Sequence, residues 1–284
     1  MINNFHMPPM GYGPGSQPAS ADGQELEYMP LPNDMRVFQA HLPEIDAEQA
    51  TTLAPALTLL ANVAKACAGH RETGDQTFSL AALDQANRAL IDETFGTGEV
   101  AAEIRDPHSG EPTIKAQESV FAGVWTVKGD GEDRIDIAPM PAVIRERAFH
   151  SSAPAIGPLT PVLPGVVNAP PLVTELLDKS SAWTPETEVH VINLSLLPHT
   201  PEDLTHLDMA LGEGAAAITS KGYGDCRIRA TALHNVWKVQ FFNSMDVMIL
   251  DSFEVTGIPE VALAAAEDFE DSGERLREIL ETIK

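Results

Sequence analysis

The residues whose types and spacing could support chemistry are gathered between Gly222 and Asp246. Cys226 and His234 are eight residues apart, and a thiol beside an imidazole can form an activated nucleophile pair. Arg227 follows the cysteine, and a neighbouring cation can lower the pKa of a thiol. On a β-strand, however, successive side chains point to opposite faces, so Arg227 would face away from Cys226. We therefore favour a buried cysteine without a catalytic role.

Two turns in the same region are better candidates for binding a partner protein. In the first, GYGDCR, a glycine supplies the positive φ that a tight turn requires. The second, FFNSMD, places a methionine in a turn, where its side chain offers an adaptable contact surface. A His-Asn pair between the two is expected at a hairpin turn. The candidate partner-binding residues are Gly222, Tyr223, Gly224, Asp225, Cys226, Arg227, His234, Asn235, Phe242, Asn243, Ser244, Met245 and Asp246.

The predicted strands next to these turns contain short sequence motifs that also occur earlier in the chain. Three short motifs recur in the same order 112 to 118 residues later: Ile114-Lys115-Ala116 as Ile228-Arg229-Ala230, Val124-Trp125 as Val236-Trp237, and Met140-Pro141 as Ile258-Pro259. Conserved order with small changes in spacing predicts a duplicated unit. The predicted fold class is α+β: two tandem copies of a small antiparallel sheet with helices on one side, related by a pseudo-twofold axis. The sequence leaves open whether the copies share one sheet.

The predicted organisation has four parts. Residues 1–35 form a flexible arm rich in Met, Pro and Gly, 36–150 the first repeat, 151–171 a Pro-rich linker, and 172–284 the second repeat. In the second repeat, Thr200-Pro201 predicts the start of a helix. Near the end, Pro259 predicts another helix, which we expect to break near Ser272-Gly273.

Composition and charge exclude several functional classes. There are 18 Lys and Arg residues against 42 Asp and Glu, a formal net charge of −24. This charge repels phosphate backbones and anionic lipids, so neither nucleic-acid binding nor membrane association is expected. No segment has the apolar length of a membrane span. The absence of a secretory signal and the unpaired cysteines Cys67 and Cys226 favour the cytoplasm.

Motifs for cofactors, metals and catalysis are not convincing. Gly96–Ala101 and Gly212–Ala217 both fit G-x-G-x-x-A, but each follows a helix and precedes a strand, the reverse of a dinucleotide site. We interpret both as helix ends. His6 lies near several methionines, which could suit a soft metal, but a flexible tail is the simpler interpretation. We therefore expect no catalytic residue, cofactor or metal ligand, and no enzyme activity.

The segment Gly222–Ser272 resembles the C-terminal region of the HupH/HyaF family of hydrogenase expression and formation proteins. GPGSQP at 13–18 and LEYMPLP at 26–32 also resemble that family. The resemblance implies a cytoplasmic accessory protein or chaperone for maturation of an uptake nickel–iron hydrogenase. It implies binding of the iron–sulfur small-subunit precursor before assembly and export, beside a thioredoxin-like chaperone. Two alternatives stay open: a thiol-dependent redox factor using Cys226, and a metal or cluster carrier using His6 and the Met-rich arm.

Overall fold

The computed structural model describes residues 51–222 and 224–282. The predicted arm, with His6, lies outside the described residues, as do the first part of the predicted first repeat and Tyr223. The described helices are α1 (Ala54–Ala68), α2 (His70–Thr73), α3 (Gln85–Phe95), α4 (Ala142–Arg147), α5 (Ala169–Ala182), α6 (Pro201–Leu211) and α7 (Asp268–Thr282). Short 3-10 helices occupy Gly157–Leu159, Leu194–Leu196 and Glu260–Ala262.

The ten strands of the described residues form one sheet. They are β1 (Gln76–Ser79), β2 (Val100–Arg105), β3 (Pro112–Glu118), β4 (Val124–Gly129), β5 (Glu132–Ile137), β6 (His190–Asn193), β7 (Ala216–Ser220), β8 (Asp225–Ala230), β9 (Val236–Phe242) and β10 (Met248–Val255). The order across the sheet is β1-β5-β4-β3-β2-β7-β8-β9-β10-β6. All neighbours are antiparallel, which confirms the α+β class. Because β2 and β7 pair at the centre, the two predicted repeats lie in one continuous sheet.

One face of the central strands carries the main apolar core. Strand alternation places Trp125 and Trp237 on this face, both fully buried. Helix α4 covers them with Val143 and Ile144, together with the segment around Ile258. The expectation that all helices lie on one side of the sheet is therefore wrong, because this wide apolar row also needs a cover.

Among residues 51–222 and 224–282, helices cover the opposite face only near the two outer edges of the sheet. Helices α1, α3 and α7 pack against β1, β5 and the start of β4, while α5 and α6 pack against β6, β10 and the start of β9. The side chains of the four central strands on this face are polar or small, in the sequence pattern typical of a solvated sheet face. We call the exposed part of this face, formed by β3, β2, β7 and β8, the open floor.

The start of α6 and the ends of α3 and α6 confirm the local sequence predictions. Asp84 accepts the N–H of Asn87 at the start of α3, and Thr200 forms a capping box with Asp203 at the start of α6. Gly96 and Gly212 end the two helices with φ of 57° and 64°. The G-x-G-x-x-A motifs are therefore helix ends, as predicted.

The C-terminal helix differs from its prediction in two ways. Pro259 precedes a 3-10 turn, Glu260–Ala262, and the α-helix starts only at Asp268. That helix continues through Gly273 because the missing side chain lets α7 approach α1: an added Cβ would lie 2.8 Å from the Ala64 carbonyl oxygen. Helix α7 thus joins the core of the first half, although its residues belong to the predicted second repeat.

Candidate functional site

The two turns singled out in the sequence lie side by side, where strand β8 begins and strand β9 ends. Asp225, at the start of β8, pairs with Phe242, at the end of β9. Arg227 joins the turns: its guanidinium lies 4.1 Å from the centre of the Phe242 ring. Its Nη2 donates to Asp246 Oδ1 at 2.5 Å. Both partners of this ion pair are exposed, so it orients the turns more than it stabilises the fold.

The second turn is held by its own asparagine. Asn243 Oδ1 accepts the backbone N–H groups of Met245 and Val247 at 2.9 and 3.0 Å. Asp246 adopts φ of 57°, a left-handed conformation that Asp tolerates in turns. The Met245 side chain is 77% exposed, as the sequence predicted. The turn therefore presents this methionine to solvent on a defined backbone.

Exposed apolar side chains continue from this turn into the next strand. Val247, Met248 and Ile249 are 53%, 45% and 61% exposed. The register of β10 against β9 shifts between Met248 and Leu250, and such a bulge redirects side chains. We call Met245, Val247, Met248 and Ile249 the hairpin patch. Contiguous exposed apolar surface of this kind marks interaction sites.

Sequence reasoning found Met245 but missed the other three residues of the hairpin patch. The sequence predicts a strand over about residues 247–255, but that prediction does not show which of its side chains are exposed. A usable signal was present: Val247–Leu250 is an unbroken apolar run in an antiparallel hairpin. A strand with one solvated face alternates, so such a run must expose some of its members.

The structure does not bring Cys226 and His234 together. Cys226 lies at the start of β8, paired with Phe241, whereas His234 and Asn235 form the β8–β9 turn at the other end of that strand. His234 instead packs edge-on against Phe149, with ring centres 4.8 Å apart. The Cys–His pair considered from the sequence is therefore not formed.

Both cysteine side chains face apolar cores. Cys67 and Cys226 are 1% and 2% exposed, and burial raises the pKa of each thiol to about 12. Arg227 points away from Cys226, as strand alternation predicts, so it does not stabilise a thiolate. This environment is that of a structural cysteine.

We expect neither cysteine to react with a thiol reagent in the native protein at pH 8. Because only the thiolate reacts, a buried thiol with a pKa near 12 is protected twice, by protonation and by inaccessibility. Titration with a chromogenic disulfide should detect no thiol in the native chain and both after denaturation. A fast-reacting thiol in the native protein would contradict this, and Cys226→Ser would identify whether Cys226 is responsible.

Two further observations concern metal sites and membrane-crossing helices. Residues 51–222 and 224–282 contain no cluster of three or more His, Cys, Asp or Glu side chains arranged to hold a metal ion. In the same part of the chain, no helix has both the length and the apolar character of a membrane-crossing segment.

Comparison with known proteins identifies relatives along the whole chain. Residues 166–283 match the family model described as HupH hydrogenase expression protein, C-terminal conserved region. The hydrogenase expression/formation protein HupH of Rhodobacter capsulatus is 54% identical, with 100% of both chains covered. The hydrogenase expression/formation protein HoxQ of Cupriavidus necator is 39% identical over 99% of each chain.

More distant relatives carry the same kind of description. The hydrogenase-1 operon protein HyaF of Escherichia coli is 31% identical, covering 97% of this chain and 95% of its own. A solved hydrogenase expression protein HupH from Thiobacillus denitrificans is 29% identical, covers 40% of this chain and 94% of its own, and gives a TM-score of 0.36. The full-length matches establish that this chain belongs to the HupH family of hydrogenase expression/formation proteins.

Proposed function

We propose that this chain is a non-enzymatic accessory protein in hydrogenase maturation, and that it binds the iron–sulfur small-subunit precursor of a nickel–iron hydrogenase. Membership of a family named for hydrogenase expression and formation supports the pathway. The hairpin patch is the observation that supports a binding role, since four exposed apolar side chains are concentrated in five consecutive residues.

The chemistry of the hairpin patch suits a partner that is not yet folded. Methionine side chains are unbranched and polarizable, so a methionine-containing surface adapts to apolar segments of different shape. The backbone beneath the patch is fixed by Asn243 and by the Arg227–Asp246 pair, so binding does not require this turn to be ordered first. A preformed surface with adaptable side chains fits a chaperone for a precursor chain.

Co-purification of the full-length chain with the small-subunit precursor from the same organism tests the proposal. Replacing Val247 and Ile249 together by Asp places two charges in the hairpin patch without changing a buried residue. We expect recovery of the precursor to fall at least about tenfold, as for loss of central apolar contacts in an interface. Leu159→Asp with Val162→Asp is the matched control, because both are exposed apolar residues, at the end of the 3-10 helix Gly157–Leu159 and just after it.

Two outcomes would contradict the proposal. One is that the wild-type chain recovers no precursor from cells that are maturing hydrogenase. The other is that the control pair reduces recovery as much as the Val247 and Ile249 pair. A loss of maturation in Cys226→Ser with normal recovery of the precursor would instead favour the thiol-dependent alternative.

We also propose that the chain arose by duplication of one α+β module. The order β1-β5-β4-β3-β2 is matched on the other side of the centre by β6-β10-β9-β8-β7. The two buried tryptophans support it: Trp125 Nε1 donates to the Ala138 carbonyl, and Trp237 Nε1 donates to the Thr256 carbonyl. Equivalent hydrogen bonds at echoed positions favour common descent of the halves over chance similarity.

A further inference from the structure

The open floor lies at the bottom of a groove. Helix α3 borders it on one side, where Asp92 contacts Lys128 of β4 at 3.3 Å. Helix α6 borders it on the other side, where Asp208 contacts Lys238 of β9 at 2.7 Å. None of the helices among residues 51–222 and 224–282 packs on the floor between them.

The groove is wide enough for one more helix. Strands β4 and β9 are five places apart in the sheet, which is about 24 Å at the usual strand spacing of about 4.8 Å. The bordering helices contact Lys128 of β4 and Lys238 of β9, and an α-helix with its side chains is about 10–12 Å across. A single helix lying along the central strands would therefore fill the space between α3 and α6.

Two cations stand on either side of the midline of the floor. Lys115 pairs across the strands with Glu103, Glu103 with Ala217, and Ala217 with Arg229, so these four side chains form one row. Lys115 and Arg229 are both exposed and are three strand spacings apart, about 14 Å. They are also equivalent positions in the echoed Ile-Lys-Ala and Ile-Arg-Ala motifs.

Neither of these cations has an ion-pair partner among the described residues, unlike the cations around them. Arg105 pairs with Glu103, and Lys128, Lys238 and Arg227 each contact an aspartate. A cavity of about 180 Å³ opens on the floor beside Arg229, and the acids in its lining are Glu103 and Glu213. In a chain of net charge −24, two cations without an ion pair in the described part of the chain, on a floor that none of the described helices covers, favour an acidic ligand.

We propose that this groove binds an acidic α-helix of a partner protein, with carboxylates on its two flanks meeting Lys115 and Arg229. A helix fits better than an extended strand, because the floor strands are already paired on both sides and offer no free backbone groups. A helix satisfies its own backbone and needs only side-chain contacts. This inference goes beyond the proposed function, since it assigns a second surface and an acidic partner whichever protein supplies the helix.

Binding of a defined peptide to the full-length chain tests the proposal. The probe is a fluorescent 20-residue alanine-based helix with glutamates on both flanks, and its analogue has glutamine at those positions. We expect the chain to bind the glutamate peptide, despite like net charge, and to bind it more weakly as salt increases. Lys115→Glu with Arg229→Glu should weaken binding about tenfold or more, because attraction becomes repulsion.

Arg71→Glu with Lys179→Glu is the matched control, since it makes the same change in net charge at exposed sites on α2 and α5. We expect this control to bind within about twofold of the wild-type chain. Equal losses in the two double variants, or equal binding of the glutamate and glutamine peptides, would overturn the proposal. Because the probe is not the hydrogenase precursor, failure here leaves the co-purification result unaffected.

Discussion

Replacing Asp203 by Ala should lower the free energy of unfolding by about 3 kcal/mol, since buried N–H groups left without an acceptor cost about 1–3 kcal/mol each. Asp203 is 1% exposed. One carboxylate oxygen accepts the N–H groups of Val167, Asn168 and Ala169 at 2.8–2.9 Å. The other accepts the N–H of Thr200 at 3.0 Å. One side chain therefore fixes the starts of both α5 and α6.

The effect of Asp203 should depend on pH in a defined direction. Burial raises the pKa of this carboxyl, but the four backbone N–H donors outweigh burial and hold the pKa well below its usual range. A carboxyl with a lowered folded-state pKa contributes stability above its unfolded pKa, about 3.9, and loses it as the pH falls further. The difference between wild type and variant should thus be full at pH 7 and shrink below about pH 4.

Urea denaturation of both chains at several pH values measures this difference. Asp178→Ala is a suitable control, because Asp178 is an exposed carboxylate on α5, and we expect it to change stability by less than about 0.5 kcal/mol. A stability difference for Asp203→Ala that stays constant from pH 7 to pH 3 would show that the carboxylate charge is not what holds these helix starts.

Features with local causes could be predicted from the sequence. Alternating apolar side chains and turn residues predict strands over about 226–231 and 236–242, within a residue of the observed bounds of β8 and β9. The capping signal at Thr200 and the glycine stops at Gly96 and Gly212 were correct for the same reason. The positive φ of Gly224, 125°, follows from the tight turn that the sequence contains.

Features set by distant contacts could not be predicted. The sequence shows Lys115 and Arg229 as matching positions of the two repeats, which predicts only that they lie on equivalent strands. Their exposure could not be predicted, because it depends on where the described helices pack against the sheet. The link between Arg227 and Phe242 likewise needs the register of β8 against β9. For the same reason, pattern alone could not show that the final helix of the chain packs against the first described one.

Gly273 provides the sharpest test of that long-range packing, because two effects predict opposite signs. In an isolated helix, Gly→Ala is stabilising by about 1 kcal/mol. Here an added Cβ would lie 2.8 Å from the Ala64 oxygen and the Ala68 nitrogen, and 3.2 Å from Cys67 Cβ. These contacts are mainly with backbone, so α7 would have to move away from α1.

We therefore expect Gly273→Ala to lower the free energy of unfolding by about 2 kcal/mol and Gly273→Val by about 3 kcal/mol or more, as overpacked cores do. Glu274→Ala, at the neighbouring exposed position of the same helix, should change it by less than about 0.5 kcal/mol. Urea denaturation measures all three variants. A stabilised Gly273→Ala chain would mean that helix propensity prevails, and hence that α7 does not pack against α1 at this distance.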